Sequence, residues 1–366
     1  MEAKIANLVS LEKSPREDGL RVVAIGGGTG LSTLLKGLKR FALTPAEIAA
    51  TRRDTPFISD LCAVVTVSDD GGSSGRLRKE LNMLPPGDIR NCIVALSEDE
   101  ALLSQLFRHR FGKGSGLEGH SFGNLFLAAL TSITGDFSEA VRLSSEILLT
   151  RGHIHPATTS NIELEALMED GTRVLGETKI TASKVRIQEL FLVPADVDPL
   201  PQTLDALAGA DIISIGPGSL FTSLIPNLLV HGIAEAIVTS PATKVYICNL
   251  MTQANESLGL TAADHIRALN RHAGRQLFDY ALINRTSVSD ELKAKYALEG
   301  GCQIEADLDA IESLGVIPVL GDYLEEGDAA RHNTARVATD LMQLASNPSA
   351  TRRLHPTLPG SSDLSS

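Results

Sequence analysis

The chain has few cysteines, and none are paired at metal or disulfide spacing: Cys62, Cys92, Cys248 and Cys302 lie far apart and form no CxxC motif. That excludes a zinc knuckle and a disulfide framework, and buried reduced thiols are expected. The sequence also lacks an apolar run of the ~18 residues that a spanning helix needs. Its best stretch, Leu220 to Val238, is broken by Pro226, Asn227, His231, Gly232 and Glu235. The first residues, MEAKIANLVSLEKSPREDG, mix charges throughout and carry no apolar core of a secretory signal. No membrane span and a cytoplasmic location are therefore expected. Positive charge is not in excess either: the formal net charge is −12 at pH 7, which argues against nonspecific binding to nucleic acid or anionic membranes. A phosphorylated ligand is still compatible, because exposed charges beyond a Debye length of ~8 Å are screened. With 43% hydrophobic and 21% charged residues, 366 residues suit one large α/β domain or two smaller ones.

What is present begins at Arg21 to Thr33, RVVAIGGGTGLST. A β-branched apolar run, three glycines and an amphipathic segment describe a strand, a tight turn and a helix. Leu31, Leu34, Leu35 and Leu38 recur at helical spacing to about Arg40. Glycines let a ligand approach the backbone, and a helix N-terminus offers unpaired N–H groups and about half a positive charge. Gly26, Gly27, Gly28, Thr29 and Gly30 are thus candidates for an anion site. Residues 1–19 read as a mobile lead-in, and Phe41 to Asp60 as a polar connection holding the basic pair Arg52-Arg53.

A second buried strand, Leu61 to Val67, ends in SDDGGSSGRLRKEL. Asp69 and Asp70 there are candidate ligands for a divalent ion set against a phosphate, and Arg76, Arg78 and Lys79 could meet phosphate oxygens at the carboxyl edge of the sheet. In LPPGDIRNCIVAL, Asp88 is expected to cap a helix whose first turn carries Arg90 and Asn91, where both could reach a bound anion. GHSFGNLFLAALTSI opens a long apolar helix, with His120 and Asn124 four apart on one face: Asn124 is a candidate ligand contact, and His120 a candidate ligand-binding group or base, though a single histidine is more often a hydrogen-bonded structural element.

From Arg151 the pattern turns antiparallel. IELEALMEDGTRVLGETKI reads as two strands around an Asp170-Gly171 turn, with VRIQELFLVP as a third extended segment. A β-rich insertion at about 151–195 is expected inside one α/β domain spanning 20–346. ADIISIGPGSLFTSLIPNLLV then repeats the opening logic, with a glycine turn at Gly216-Pro217-Gly218 and Ser219 as a cap. Two such turns at one edge of a parallel sheet could share one ligand. After the next strand, Asn249, Thr252, Gln253 and Asn255 supply neutral groups suited to sugar hydroxyls or a base. A final helix is expected at about Asn333 to Ala345, and residues 347–366 read as a disordered Pro/Ser/Thr-rich tail. The fold expected from the residues is a mostly parallel α/β sheet with an antiparallel insertion, and the apolar content of Leu220 to Val230 would suit a homodimer surface.

In combination, GGGTGLSTLLKGLK, TVSDDGGSSGRLR, PPGDIRNC, GHSFGNLFLAAL, ADIISIGPGSLFTSLIPNLLV and CNLMTQANES resemble the gluconeogenesis factor (YvcK-like) family, which is related to the 2-phospho-L-lactate transferases (CofD-like). The resemblance runs from about Arg21 to Leu344. It implies a Rossmann-like fold with helices on both faces, binding of UDP-sugars such as UDP-N-acetylglucosamine, and a role in cell shape and cell-wall synthesis during gluconeogenic growth, with cell-wall synthesis proteins as partners. It also implies that Tyr296 and Arg331 contact the nucleotide sugar, and that Asp69 and Asp70 match the magnesium-binding acidic motif of the transferase branch.

A nicotinamide enzyme is disfavoured, because Leu31 or Thr33 stands where the third glycine of its fingerprint belongs. Two readings stay open. A non-enzymatic nucleotide-sugar-binding regulator needs no nucleophile, and no Ser-His-Asp set or activated cysteine is evident. A magnesium-dependent transferase could work by positioning and charge stabilisation alone.

Overall fold

The computed structural model describes residues 18–50, 55–98, 102–114, 116–254 and 256–346. The expectations for most of the lead-in, for Arg52-Arg53, for Asn255 and for the tail lie outside the described residues.

Seven parallel strands form the main sheet: β1 (Leu20–Gly26), β2 (Ile58–Val65), β3 (His153–Pro156), then, after a three-stranded antiparallel sheet of β4 (Glu163–Met168), β5 (Arg173–Leu175) and β6 (Ile187–Val193), β7 (Ile212–Ile215), β8 (Thr243–Ile247), β9 (Tyr280–Asn284) and β10 (Ile317–Gly321). The main order is β10-β9-β8-β7-β1-β2-β3, and the small sheet runs β5-β4-β6. A hairpin of β11 (Leu324–Glu326) and β12 (Ala330–His332) follows. The central strands are apolar on both faces because helices cover both, and six of seven β1 residues are buried. From β1 the chain builds outward to β2 and β3, then returns to build β7 to β10 on the other side. The reversal point therefore lies between β1 and β7, paired from Val22↔Ile212 to Ile25↔Ile215.

The helices that matter for the site are α1 (Gly28–Lys39), α2 (Pro45–Ala50), α3 (Gly72–Leu81), α4 (Gly87–Leu96), α5 (Leu102–Arg108), α6 (Phe122–Thr134) and α7 (Phe137–Ile147). As periodicity predicts, α1 buries Leu31, Leu34, Leu35 and Leu38. At α6, Ser121 Oγ accepts from Asn124 N, the capping chemistry that Ser supplies.

Several expectations need correction. The expected insertion begins within the main sheet, since β3 pairs in parallel with β2; the antiparallel part starts at β4. Leu220 to Val230 is no free surface: Leu220, Phe221, Leu224, Ile225, Leu228 and Val230 are buried, so the dimer argument built on it has no basis. The stretch is a π-helical turn, Leu220–Leu224, running into a short helix, Ile225–Leu229. Ser219 makes no side-chain cap there, nor does Asp88 cap α4. Of the thiols, Cys62, Cys92 and Cys248 are buried and Cys302 is exposed. No single helix among the described residues is long and apolar enough to cross a membrane. Leu220–Leu229 and Ile233–Thr239 pass that test only as a pair, bent by 81°, and their apolar residues belong to the core.

Candidate functional site

Because β1 and β7 are neighbours, the two glycine turns leave the sheet side by side at its carboxyl edge, where open α/β sheets hold ligands. They touch. A Cβ built on Gly30 would lie 2.7 Å from the Pro217 carbonyl carbon and 3.0 Å from Gly218 Cα, so only glycine lets the backbones meet. Gly28 has φ +62°, the left-handed region that favours glycine. Asn249 fixes the second turn with both ends of its amide, Nδ2 donating to Gly218 O at 2.7 Å and Oδ1 accepting from Gly218 N at 3.2 Å.

Each turn carries a carboxylate that no sequence pattern announced. Gly28 N donates to Asp88 Oδ2 at 2.7 Å, so the residue expected to cap α4 caps α1 from across the fold. Phe221 N and Thr222 N both donate to Glu256 Oε1 at 2.8 Å. Burial pushes the Asp88 carboxyl up to about 6, opposed by the Gly28 N–H and reinforced by Asp69; burial likewise raises Glu256. Among the described residues, the N–H groups of Thr29, Gly30 and Ser219 make no hydrogen bond.

These turns form one wall of a crevice of about 380 Å³ that brings together Gly27, Gly28, Thr29, Gly30, Gly218, Ser219, Asn249, Thr252, Gln253, Tyr296 and Arg331. Gly26 and Gly216 lie at the strand ends behind it, where Gly216 N donates to Ile25 O. Gln253 Nε2 donates to Ser219 Oγ at 2.9 Å while its Oε1 is buried without a partner; either orientation of the amide leaves one polar atom unpaired. Thr252 is committed to the Cys302 backbone on both sides of its hydroxyl. The opposite wall is a small unit with its own apolar cluster of Leu250, Met251, Val288 and Leu292. In that unit the Tyr296 hydroxyl accepts from Ala330 N at 3.3 Å, and the β11–β12 hairpin presents an exposed Arg331. His332, which sequence reasoning passed over although it adjoins Arg331, also lines the crevice. Its Nε2 donates to Cys248 O at 3.0 Å, and burial holds it down at about 4, so it is neutral at pH 7.

Arg76, Arg90, Asn91 and Asn124 do not line this crevice. Asp69 and Asp70 sit at the end of β2 but face different tasks. Asp69 Oδ1 accepts from Gly71 N at 2.8 Å, while Asp70 Oδ1 accepts from Thr178 N at 2.9 Å and from its hydroxyl at 2.5 Å, tying the antiparallel unit to the main sheet. Beside them Glu177 is pushed up to about 8 by burial and by Asp69, Asp88, Asp70 and Glu256. No group of three His, Cys, Asp or Glu among the described residues is placed to hold a metal ion; a magnesium ion shared by Asp69 and Asp70 with a phosphate would need Asp70 to turn from Thr178. A larger cavity, about 720 Å³, runs between α7 and β3, away from every unpaired N–H of the turns.

The family described as 2-phospho-L-lactate transferase CofD matches residues 22–324. The chain is 48% identical over 326 residues to the gluconeogenesis factor of Bacillus subtilis, covering 88% of this chain and 98% of that one. It is 49% identical to the gluconeogenesis factor of Halalkalibacterium halodurans, covering 88% and 95%. A crystal structure of a UPF0052 family member from Bacillus halodurans superposes with a TM-score of 0.82 at 48% identity, covering 89% of this chain and 99% of that one.

Proposed function

Since the chain belongs to the gluconeogenesis factor family and shares the CofD-type domain, we propose that it is a cytoplasmic factor that binds a UDP-sugar of the UDP-N-acetylglucosamine kind and supports cell shape and cell-wall synthesis during gluconeogenic growth. The observation that carries the reading is the crevice itself. Three unpaired N–H groups, of Thr29, Gly30 and Ser219, face a volume that also receives the Arg331 guanidinium. Such a set suits a diphosphate. The unpaired amide atom of Gln253, the neutral His332 ring and the Tyr296 ring supply polar and apolar contacts of the type a sugar or a base uses.

Isothermal titration of the full chain with UDP-N-acetylglucosamine tests this directly, and an absence of heat with a folded protein refutes it. Arg331→Ala is expected to weaken binding by about 1.5–3 kcal/mol, the worth of a charge-assisted contact, or roughly ten- to hundredfold. A magnesium-assisted transferase is the second reading, motivated by the like-charged cluster of Asp69, Asp88 and Glu177. It requires Asp70 to let go of Thr178, so the same titration with magnesium, and turnover that Asp70→Asn abolishes, would favour it.

A further inference from the structure

Arg90, Asn91 and Asn124, which the sequence pointed toward one shared site, instead gather between α3, α4 and α6, with Arg76 at the rim. Arg90 Nη1 donates to Ser121 Oγ at 2.7 Å and to Asn124 Oδ1 at 2.9 Å, and Nη2 to Asn91 Oδ1 at 2.7 Å. Asn124 Nδ2 donates to Ser73 Oγ at 3.1 Å, and Ser73 Oγ lies 3.0 Å from His120 Nδ1. With its oxygen accepting from Asn124, the Ser73 hydroxyl can give its proton to Nδ1, and in that tautomer the neutral imidazole carries its hydrogen on Nε2. Burial and the Arg76 charge both lower the His120 pKa, in keeping with that state. Ser73, His120, Asn124 and Arg90 are all buried.

Two more guanidiniums converge on the rim. Arg76 Nη2 donates to Glu118 O at 2.6 Å and Arg110 Nη1 to Gly119 O at 3.0 Å, the two carbonyls that lead into His120. Among the described residues, every hydrogen bond that these three arginines make goes to a neutral acceptor and none of the three is ion-paired. Arg90 Nε is buried with no partner at all. Burial and the nearby Arg110 and Arg108 charges work against its protonated form, while Asp88 and Asp69 support it from the glycine-turn side. In a chain of net charge −12 carboxylates are plentiful, yet among the described residues none is in contact with these guanidiniums: Asp88 and Asp69 act on Arg90, and Glu80 on His120, only from a distance, and gathering like charges without a contacting counter-charge costs stability.

We infer that the missing charge is a ligand's, and that this cluster is a second anion site, separate from the crevice, for the terminal phosphoryl group of a phosphomonoester or free phosphate. A tetrahedral dianion can accept from guanidiniums on several elements at once, whereas a planar carboxylate pairs with one fork. The Nε2–H of His120 adds a neutral donor, and the N-terminus of α3, where Gly75 N is the first to find a partner, adds its dipole.

This site does not depend on the nucleotide-sugar reading, and the test separates them. The full chain is titrated calorimetrically with inorganic phosphate and with glycerol 3-phosphate, alone and in the presence of saturating UDP-N-acetylglucosamine. Saturable binding of either anion, weakened at least tenfold in both Arg76→Ala and Arg110→Ala, supports the site; binding of the ester identifies an esterified phosphate as the source, and binding of phosphate alone identifies the free ion. Both arginines are exposed, so these variants leave the core intact, and an unchanged melting temperature verifies it. No saturable binding of either anion overturns the inference. So does binding that both variants retain, or binding that the nucleotide sugar displaces.

Discussion

Gly30→Ala is the most direct perturbation of the paired glycine turns. The added methyl would lie 2.7 Å from the Pro217 carbonyl carbon and 3.0 Å from Gly218 Cα, and closer still to the Pro217 oxygen. Ordinary contact begins near 3.5 Å, so the opposing backbone must retreat by roughly 1 Å. It has little freedom to do so, because the Asn249 amide grips Gly218 and Glu256 holds Phe221 and Thr222. Overpacking of this kind costs about 1–3 kcal/mol, and a pinned neighbour puts Gly30 at the upper end. At ~2.1 cal/mol/K per residue, unfolding a chain of this length carries an entropy of roughly 0.8 kcal/mol/K, so ~3 kcal/mol lowers Tm by about 4 °C. Affinity for UDP-N-acetylglucosamine should fall further, since the change separates two walls of the crevice. Gly327→Ala is the control: nothing lies within 4 Å of a Cβ built there, and a change under about 0.5 kcal/mol is expected. Differential scanning calorimetry with a parallel titration decides the matter. If Gly30→Ala matches the parent in both Tm and affinity, the turns are not in contact and the shared-wall argument fails.

Other outcomes follow from the same geometry. Glu177 has a folded-state pKa of about 8, above its usual 4.5, so its contribution is complete below about pH 4.5 and is lost as pH rises through 8. Glu177→Gln should therefore leave Tm unchanged near pH 4.5 but raise it near pH 9 by the equivalent of about 1–3 kcal/mol, a figure discounted for partial solvent exposure; equal Tm differences at both pH values would contradict the carboxylate cluster. Asn249→Ala strips Gly218 of both amide partners and should cost about 1–3 kcal/mol in denaturant unfolding; a loss under 0.5 kcal/mol would mean that water replaces the amide freely. Of the four thiols only Cys302 is exposed, and burial raises the pKa of the other three. A thiol reagent should therefore modify one cysteine rapidly in the native protein and all four after denaturation, and rapid modification of a second would place one of the buried three at the surface.

What could be read from sequence was local. A β-branched run, glycines and a helical apolar stripe within fifteen residues specify β1, its turn and α1, and the same pattern specifies the β7 turn. Order along a parallel sheet then sets the two turns together. What could not be read was long-range. Asp88 looks like a cap for its own helix and instead reaches Gly28, sixty positions away; nothing in GDIRN distinguishes the two uses. Leu220 to Val230 looked like an exposed patch because an apolar run does not reveal what covers it. The β10 segment, IPVLG, went unread: it is five residues long and holds a proline, too short for periodicity to separate it from a loop. The Ser73–His120 contact spans 47 positions, and nothing in either local motif points to the other.

The two internal carboxylates also bear on how the crevice could bind anything anionic at all. A helix N-terminus with every donor free would suit an anion best once bound, but its glycines would leave the turn poorly fixed before binding. Here one donor of the first turn is given to Asp88 and two of the second to Glu256, and the donors beside them, Thr29, Gly30 and Ser219, are left unpaired. The buried carboxylates act as braces: they hold each turn in one geometry and so reduce the ordering that a ligand must impose. Their negative charge opposes an incoming phosphate. That opposition is weaker than it looks, because Asp88, at about 6, is driven toward its neutral form by burial, and an approaching anion would push it further in that direction. Binding of a diphosphate near Gly28 should then take up a fraction of a proton, largest between about pH 6 and 7, and titrations in buffers of different ionisation enthalpy measure it. In Asp88→Asn the uptake should vanish. If proton uptake is the same in the variant and the parent, Asp88 is too far from the bound phosphates to feel them, and the diphosphate lies toward Ser219 and Arg331 instead.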